Sequence, residues 1–184
     1  LAVLMVASLC ACGQKGTGSD LQTVTKGKLI MSTNAEFAPY EYVADDGKGF
    51  QGTGYEGIDI QIAYALAQKL GLELVVDNMD FDAALSAVQT GKSDMVAAGV
   101  TVTPDRLNAM SFTDSYANGV QVVIVKEGSD IKSIDDLQGK KIGTQRGTTG
   151  FLYCSDDFGD DNVIGFDDGA TAVQNLKAGK VDCV

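Results

Sequence analysis

Thr101 and Arg106 are the residues of this chain best suited to gripping a carboxylate. They lie in Ala97-Ala98-Gly99-Val100-Thr101-Val102-Thr103-Pro104-Asp105-Arg106. A guanidinium binds a carboxylate through two parallel hydrogen bonds, a geometry that an ammonium lacks. The apolar run from Met95 to Ala98 reads as a buried strand that runs out into a loop. Gly99 lets a ligand approach the backbone closely. The carbonyl of Ala98 or Gly99 is then a candidate acceptor for a cation. Pro104 suits the first position of a short helix, where a missing N–H costs nothing. The plainer alternative is a surface turn with Arg106 in a solvated ion pair.

A second group is Gln145-Arg146-Gly147-Thr148-Thr149-Gly150. A glycine followed by Thr148 and Thr149 at a helix start offers free backbone N–H groups and the positive end of the helix dipole to an anion. A plain N-cap by Thr148 is the alternative, and it is compatible with binding. The stretch lacks the Gly-Lys-Ser/Thr ending of a phosphate loop.

Composition narrows the chemistry. The 184 residues include 25 acidic and 14 basic side chains and no histidine, for a formal charge of −11. Nucleic acid and anionic lipid both demand a basic face, so neither is an expected partner. Serine–histidine and cysteine–histidine catalysis are excluded within the chain. No cofactor or metal is expected. The acidic run from Asp156 to Asn162 lacks the spacing of a calcium loop and reads as a solvated loop.

The elements that must position these groups follow from periodicity. Leu29–Ser32 is a strand, and Asp45–Gly49 a hairpin turn. Asp59 is placed to cap a helix with Ile62, Leu66 and Leu70 recurring every fourth residue, flanked by Ala63 and Ala67 and ended by Gly71. Leu72–Val76 is the next strand. A helix follows with Phe81, Leu85 and Val88 on one stripe, and then the strand Asp94–Ala98. This β-α-β-α-β order implies a mainly parallel sheet covered by helices. After Tyr116, Val120–Val125 reads as an apolar strand crossing to a second lobe. Ile131–Leu137 is a short helix, and Lys141–Thr144 a strand. A helix starts at Thr148, Val163–Ile164 is a strand, and Ala170–Ala178 is a helix ended by Gly179.

The two halves repeat one pattern at a constant offset of 88 residues, Gly91 to Gly179 and Asp94 to Asp182. In both, a helix ends at Gly-Lys and a buried strand starts at Asp. The expected organisation is an export-signal remnant at 1–12, a flexible tether at 13–26, a first lobe at 27–117 and a second lobe at 118–184. The second lobe is expected to be incomplete, because its last strand has no continuation matching Ala98 onward. In open α/β sheets a ligand sits beyond the carboxyl ends of the strands.

Leu1 to Leu9 is uncharged and almost wholly apolar, like the core of a secretory signal, and too short to span a bilayer. Leu9-Cys10-Ala11-Cys12-Gly13 resembles a bacterial lipobox, with Cys12 as the lipidated residue; an ordinary secretory signal is the alternative. Stable anchoring takes more than one acyl chain. Cys154 and Cys183 are expected as two buried thiols rather than a disulfide.

Further stretches carry a resemblance. They are Asn34-Ala35-Glu36-Phe37-Ala38-Pro39-Tyr40-Glu41-Tyr42, Gly57-Ile58-Asp59-Ile60, Met79-Asp80-Phe81-Asp82-Ala83-Ala84-Leu85 and Ser111-Phe112-Thr113-Asp114-Ser115-Tyr116. In this order and spacing, together with the Thr101–Arg106 stretch, they resemble the bacterial extracellular solute-binding proteins for polar amino acids that feed ABC importers. The glutamine-binding and lysine/arginine/ornithine-binding members are similar in pattern.

The resemblance runs from about Lys28 to Val184. It implies a two-lobed, type II periplasmic-binding-protein-like α/β fold, here truncated at its C-terminus. It implies a monomeric, lipid-anchored extracytoplasmic subunit that clamps a free L-amino acid and delivers it to a membrane permease. By the same resemblance, Phe37 and Phe81 wall the ligand side chain and Gln145 contacts it. Asn34 stands where those two members carry Asp, and an acidic partner for the ligand ammonium would follow Val184. Gln61 and Ser115 depart from the family pattern, which has an acid and a proline there. Two other functions share the fold: a cyclohexadienyl-dehydratase-like enzyme, and the ligand-sensing input domain of a receptor.

Overall fold

A computed structural model describes residues 21–184. The export segment with its lipidation candidate Cys12, and the tether as far as Asp20, lie outside the described residues. The end of the tether is held: the Val24 N–H donates to Asp94 Oδ1 at 2.7 Å.

Strand β1 (Lys28–Thr33) is the centre of the first sheet. It pairs in parallel with β5 (Glu73–Asn78) on one side and β6 (Met95–Val96) on the other, giving the order β5-β1-β6. Helix α1 (Ile58–Leu70) connects toward β5, and α2 (Phe81–Gln89) connects β5 to β6. The short antiparallel sheet of β2 (Glu36–Phe37), β3 (Glu41–Val43) and β4 (Tyr55–Glu56) lies between β1 and α1 in sequence. The turn joining β3 toward β4 is held by Asp46 Oδ1, which accepts from the N–H groups of Lys48 and Gly49. Helix α3 (Pro104–Ala109) follows β6, with Pro104 in its first turn as its sequence predicts.

Helix α1 corrects two expectations. Its buried face is Asp59, Ile60, Ala63 and Ala67, while Ile62 and Leu66 remain 41% and 38% exposed. Ile60 and Ala63 pack on Met31 of β1, since small alanines let the helix axis approach the sheet. The four-residue stripe was real, but its small flank is what turns inward. Asp59 is not the cap either. Gly57 holds that position without a side-chain bond, and Asp59 lies inside the first turn, 1% exposed.

The second parallel pair is β7 (Ile142–Gln145) with β8 (Val163–Phe166). Helix α4 (Thr149–Phe158) joins them, and α5 (Gly169–Lys177) follows β8. Cys183 adds a parallel bridge to Ile142 and an antiparallel bridge to Val125. Ile131, Leu137, Ile142 and Cys183 form the buried cluster, with Cys154 packed against it; both thiols are free.

Val120–Val125 does not form the expected strand. Ile124 exchanges backbone hydrogen bonds with Val184, but Val120 and Val122 stay 84% and 72% exposed. An apolar run becomes a strand only where a neighbour completes its ladder, and among the described residues 183–184 supplies two positions.

The repeat seen in sequence has a structural counterpart. Asp94 donates its N–H to Ile30 O, and its Oδ2 accepts the Ile30 N–H at 2.7 Å. Asp182 donates to Lys141 O, and its Oδ2 accepts the Lys141 N–H at 2.8 Å. Gly91 and Gly179, which end the preceding helices, both take positive φ, 70° and 74°.

Candidate ligand-binding site

The carboxyl ends of β1, β6 and β7 converge on a cavity of about 560 Å³. From the first sheet it is lined by Asn34, Phe37, Phe81, Ala98, Gly99, Thr101 and Arg106. From the second it is lined by Gln145, Thr148 and Thr149. Every ligand-contacting candidate named from the sequence therefore lies on one wall or the other of a single cavity.

Arg106 sits in the first turn of α3, where the Thr103 hydroxyl caps the helix by accepting the Arg106 N–H at 3.3 Å. Its side chain folds back and is 8% exposed, so the surface-turn alternative does not hold. Nη1 donates to Thr101 O at 2.8 Å, and Nη2 to Gly147 O at 2.9 Å. The guanidinium carbon stands 5.7 Å above the Phe81 ring centroid. Burial pulls the guanidinium below its ordinary value, but an arginine stays charged. Among the described residues Arg106 forms no ion pair. A buried cation whose acceptors are two carbonyls is a strong electrostatic lure for an anion.

Across the cavity, Thr148 caps α4: its Oγ1 accepts from Phe151 N at 3.3 Å and donates to Gln145 O at 2.7 Å. The alternative raised for Thr148 is thus what its hydroxyl does. The first-turn N–H groups of Thr149 and Gly150 lie at the positive end of the same helix, on the cavity wall. The hydroxyl is spent on the cap, and the backbone is left to face an anion.

Gln145 Nε2 donates to Asn34 Oδ1 at 2.8 Å, joining the two walls. Asn34 is itself fixed by donating from Nδ2 to Met79 O at 2.9 Å. Phe37 is 49% exposed and stacks on Tyr40 with ring centroids 5.2 Å apart. Phe81 packs with Leu85 and Ala98 in a buried cluster and also lines the cavity. Gly99 has φ 56°, and a Cβ there would meet Phe37 Cε1 at 2.9 Å. This glycine is required by backbone conformation and by space together.

Several cavity residues escaped the sequence reading, among them Glu41, Thr144 and Tyr153. Glu41 is 1% exposed, and burial, with Asp59 nearby, pushes its carboxyl up to about 10. Thr144 has a buried Oγ1 with no hydrogen-bond partner. Tyr153 lines the wall from α4. Glu41 and Thr144 lie in short strands, β3 and β7, whose partners the sequence could not name.

Comparison with known proteins places this geometry in context. Residues 29–176 match the family model for bacterial extracellular solute-binding proteins, family 3. An arginine-binding extracellular protein of Bacillus subtilis, ArtP, is 36% identical over 148 residues, covering 80% of this chain and 54% of that one. A probable histidine-binding protein of Neisseria gonorrhoeae is 33% identical over 181 residues, 96% of this chain and 65% of its own. The chain therefore spans between about half and two thirds of the length of these curated relatives. An ancestral arginine-binding protein solved with bound glutamine superposes with a TM-score of 0.77 at 39% identity, covering 87% of this chain and 69% of that one.

Proposed function

Because this chain belongs to the bacterial extracellular solute-binding proteins of family 3, we propose that it captures a polar L-amino acid between its two lobes, divided near residue 117, and hands it to the permease of an ABC importer. The reading includes a monomeric, extracytoplasmic protein held to the membrane by lipid on Cys12. The observation that carries it is the buried Arg106 guanidinium on the cavity wall, opposite the N-terminus of α4. In this reading the ligand carboxylate takes the guanidinium fork and the N–H groups of Thr149 and Gly150. The carbonyls of Ala98 and Gly99 accept from the ammonium. Phe37 and Phe81 flank the ligand side chain.

The Asn34–Gln145 carboxamide pair supplies a donor and an acceptor without charge. It suits an amide or guanidinium side chain, in keeping with relatives named for arginine and a neighbour bound to glutamine. Closure is a population shift, since the ligand gains contacts to both walls in the closed state alone. Titration calorimetry with L-arginine, L-glutamine and L-histidine tests the reading. Saturable binding that is lost in Arg106→Ala supports it; no heat with any polar amino acid overturns it. Recovery of the ligand chemically unchanged separates a receptor from an eliminating enzyme.

A further inference from the structure

Two carboxyl groups are buried side by side at the wall of the cavity, which Glu41 lines. Glu41 of β3 and Asp59 of α1 are each 1% exposed. The backbone forces them together: Asp59 N donates to Tyr40 O at 2.9 Å and Ile58 N to Pro39 O at 3.1 Å, which pins the first turn of α1 to the residues preceding β3. Asp59 Oδ2 accepts the Gly99 N–H at 2.9 Å. Asp59 Oδ1 and Glu41 Oε2 are buried with no hydrogen-bond partner, and the Asp59 carboxyl lies against that of Glu41. Like charges so close do not both ionise in a dry site, and an orphaned buried carboxylate oxygen is costly. One proton removes both penalties.

We propose that Glu41 and Asp59 share a single proton, donated by Glu41, and that this pair is the positioning device of the Gly99 turn. The proton leaves Asp59 as acceptor, so its second oxygen fixes the Gly99 N–H. The Gly99 N–H and the Ala98 carbonyl belong to one planar peptide unit, so holding the first fixes the direction of the second, and the Ala98 carbonyl is one of those assigned above to the ligand ammonium. Gly99 needs such a hold because it leaves the sheet in a left-handed conformation, φ 56°. Tyr116, from the segment after α3, faces the pair, and Tyr40 faces Tyr116 in turn. The carboxyl pair holds the Tyr116 phenol above its ordinary ionisation range, burial being the larger cause. The assignment rests on the amino-acid-binding reading only for what the turn is aimed at; the proton and the hold are properties of the unliganded protein.

The test uses the whole chain without ligand. Carbon-13 spectra of labelled glutamate carboxyls, with Glu41→Gln to assign the signal, are expected to place Glu41 in its neutral form at pH 7. Amide exchange at Gly99 is expected to accelerate by about tenfold or more in Asp59→Ala. In Glu41→Gln, whose carboxamide still donates to Asp59, it should stay within about threefold of wild type. An ionised Glu41 at pH 7 overturns the proposal, as does unchanged Gly99 exchange in folded Asp59→Ala. Should Asp59→Ala fail to fold, the Glu41 signal and the Glu41→Gln rescue decide alone. Failure of the binding reading shows separately, as absence of heat with L-arginine and L-glutamine in wild type.

Discussion

Arg106 Nη2 donates to the Gly147 carbonyl across the cavity at 2.9 Å, so the residue that presents positive charge to the cavity also joins its two walls. Nη1 is held within its own lobe by Thr101 O. Under the proposed reading, Arg106 thus meets the ligand and ties the two walls together.

Arg106→Ala removes charge from a buried site. Truncating one partner of a buried charged pair costs about 2–5 kcal/mol, or roughly 30- to 4,000-fold in affinity. Arg106→Lys should recover only part of this, lacking the fork. The Arg106 penalty should be similar for every amino acid that binds, whereas the Phe37→Ala penalty should vary with the ligand's side chain. Calorimetry against a panel of amino acids checks both. Affinity of Arg106→Ala within about twofold of wild type would remove Arg106 from the site.

Thr148→Asp separates capping from anion binding. Aspartate caps as well as threonine, so thermal stability should hold within about 0.5 kcal/mol. Its charge faces the proposed carboxylate position, so affinity should fall by about tenfold or more. A stable variant with unchanged affinity would show that the α4 N-terminus does not meet the ligand.

Gly99→Ala places a methyl 2.9 Å from Phe37 Cε1 in a left-handed backbone. The conformational cost alone is about 1–2 kcal/mol. A lower Tm together with weakened binding is the expected result. An alanine variant matching wild type in both would mean that the turn is freer than its geometry indicates.

The buried Glu41 carboxyl gives stability a pH dependence of definite sign. Its folded value is about 10 against an ordinary 4.5. Below the ordinary value both folded and unfolded chains hold the proton. As pH rises, the unfolded chain releases it while the folded chain keeps it, so this group's contribution is lost progressively up to about pH 10. Glu41→Gln lacks the titration. Its Tm relative to wild type should therefore increase from pH 5 to pH 9, and a flat difference across that range contradicts a neutral Glu41.

Asp94 and Asp182 make the same paired backbone contacts in the two lobes. Alanine at either position should cost about 1–2 kcal/mol, since a charge-assisted bond to a backbone N–H is lost without a substitute. Chemical denaturation of each variant checks whether the two losses match.

What the sequence determined by itself were the features set by local chemistry and by repetition. Pro104 after Thr103 dictated where α3 starts, and glycines after apolar stripes dictated where α1 and α2 stop. The offset between Asp94 and Asp182 disclosed that the chain builds one pattern twice. Thr101, Arg106, Thr148 and Thr149, singled out in the sequence as a candidate anion hole, all line the cavity. What only the tertiary structure decided were relationships between segments distant in sequence. Asp59 looked like a cap because local rules place acids at helix starts; its actual partner, Gly99, lies 40 residues away. Ile62 and Leu66 looked inward because hydrophobicity predicts a stripe, yet the sheet's distance from the axis favoured Ala63 and Ala67. Val120–Val125 looked like a strand, but a strand is a property of a pair, and its neighbours supply bonds only near Ile124. Glu41 was unremarkable in sequence, because a buried proton between two carboxyl groups exists only once β3 and α1 are packed together.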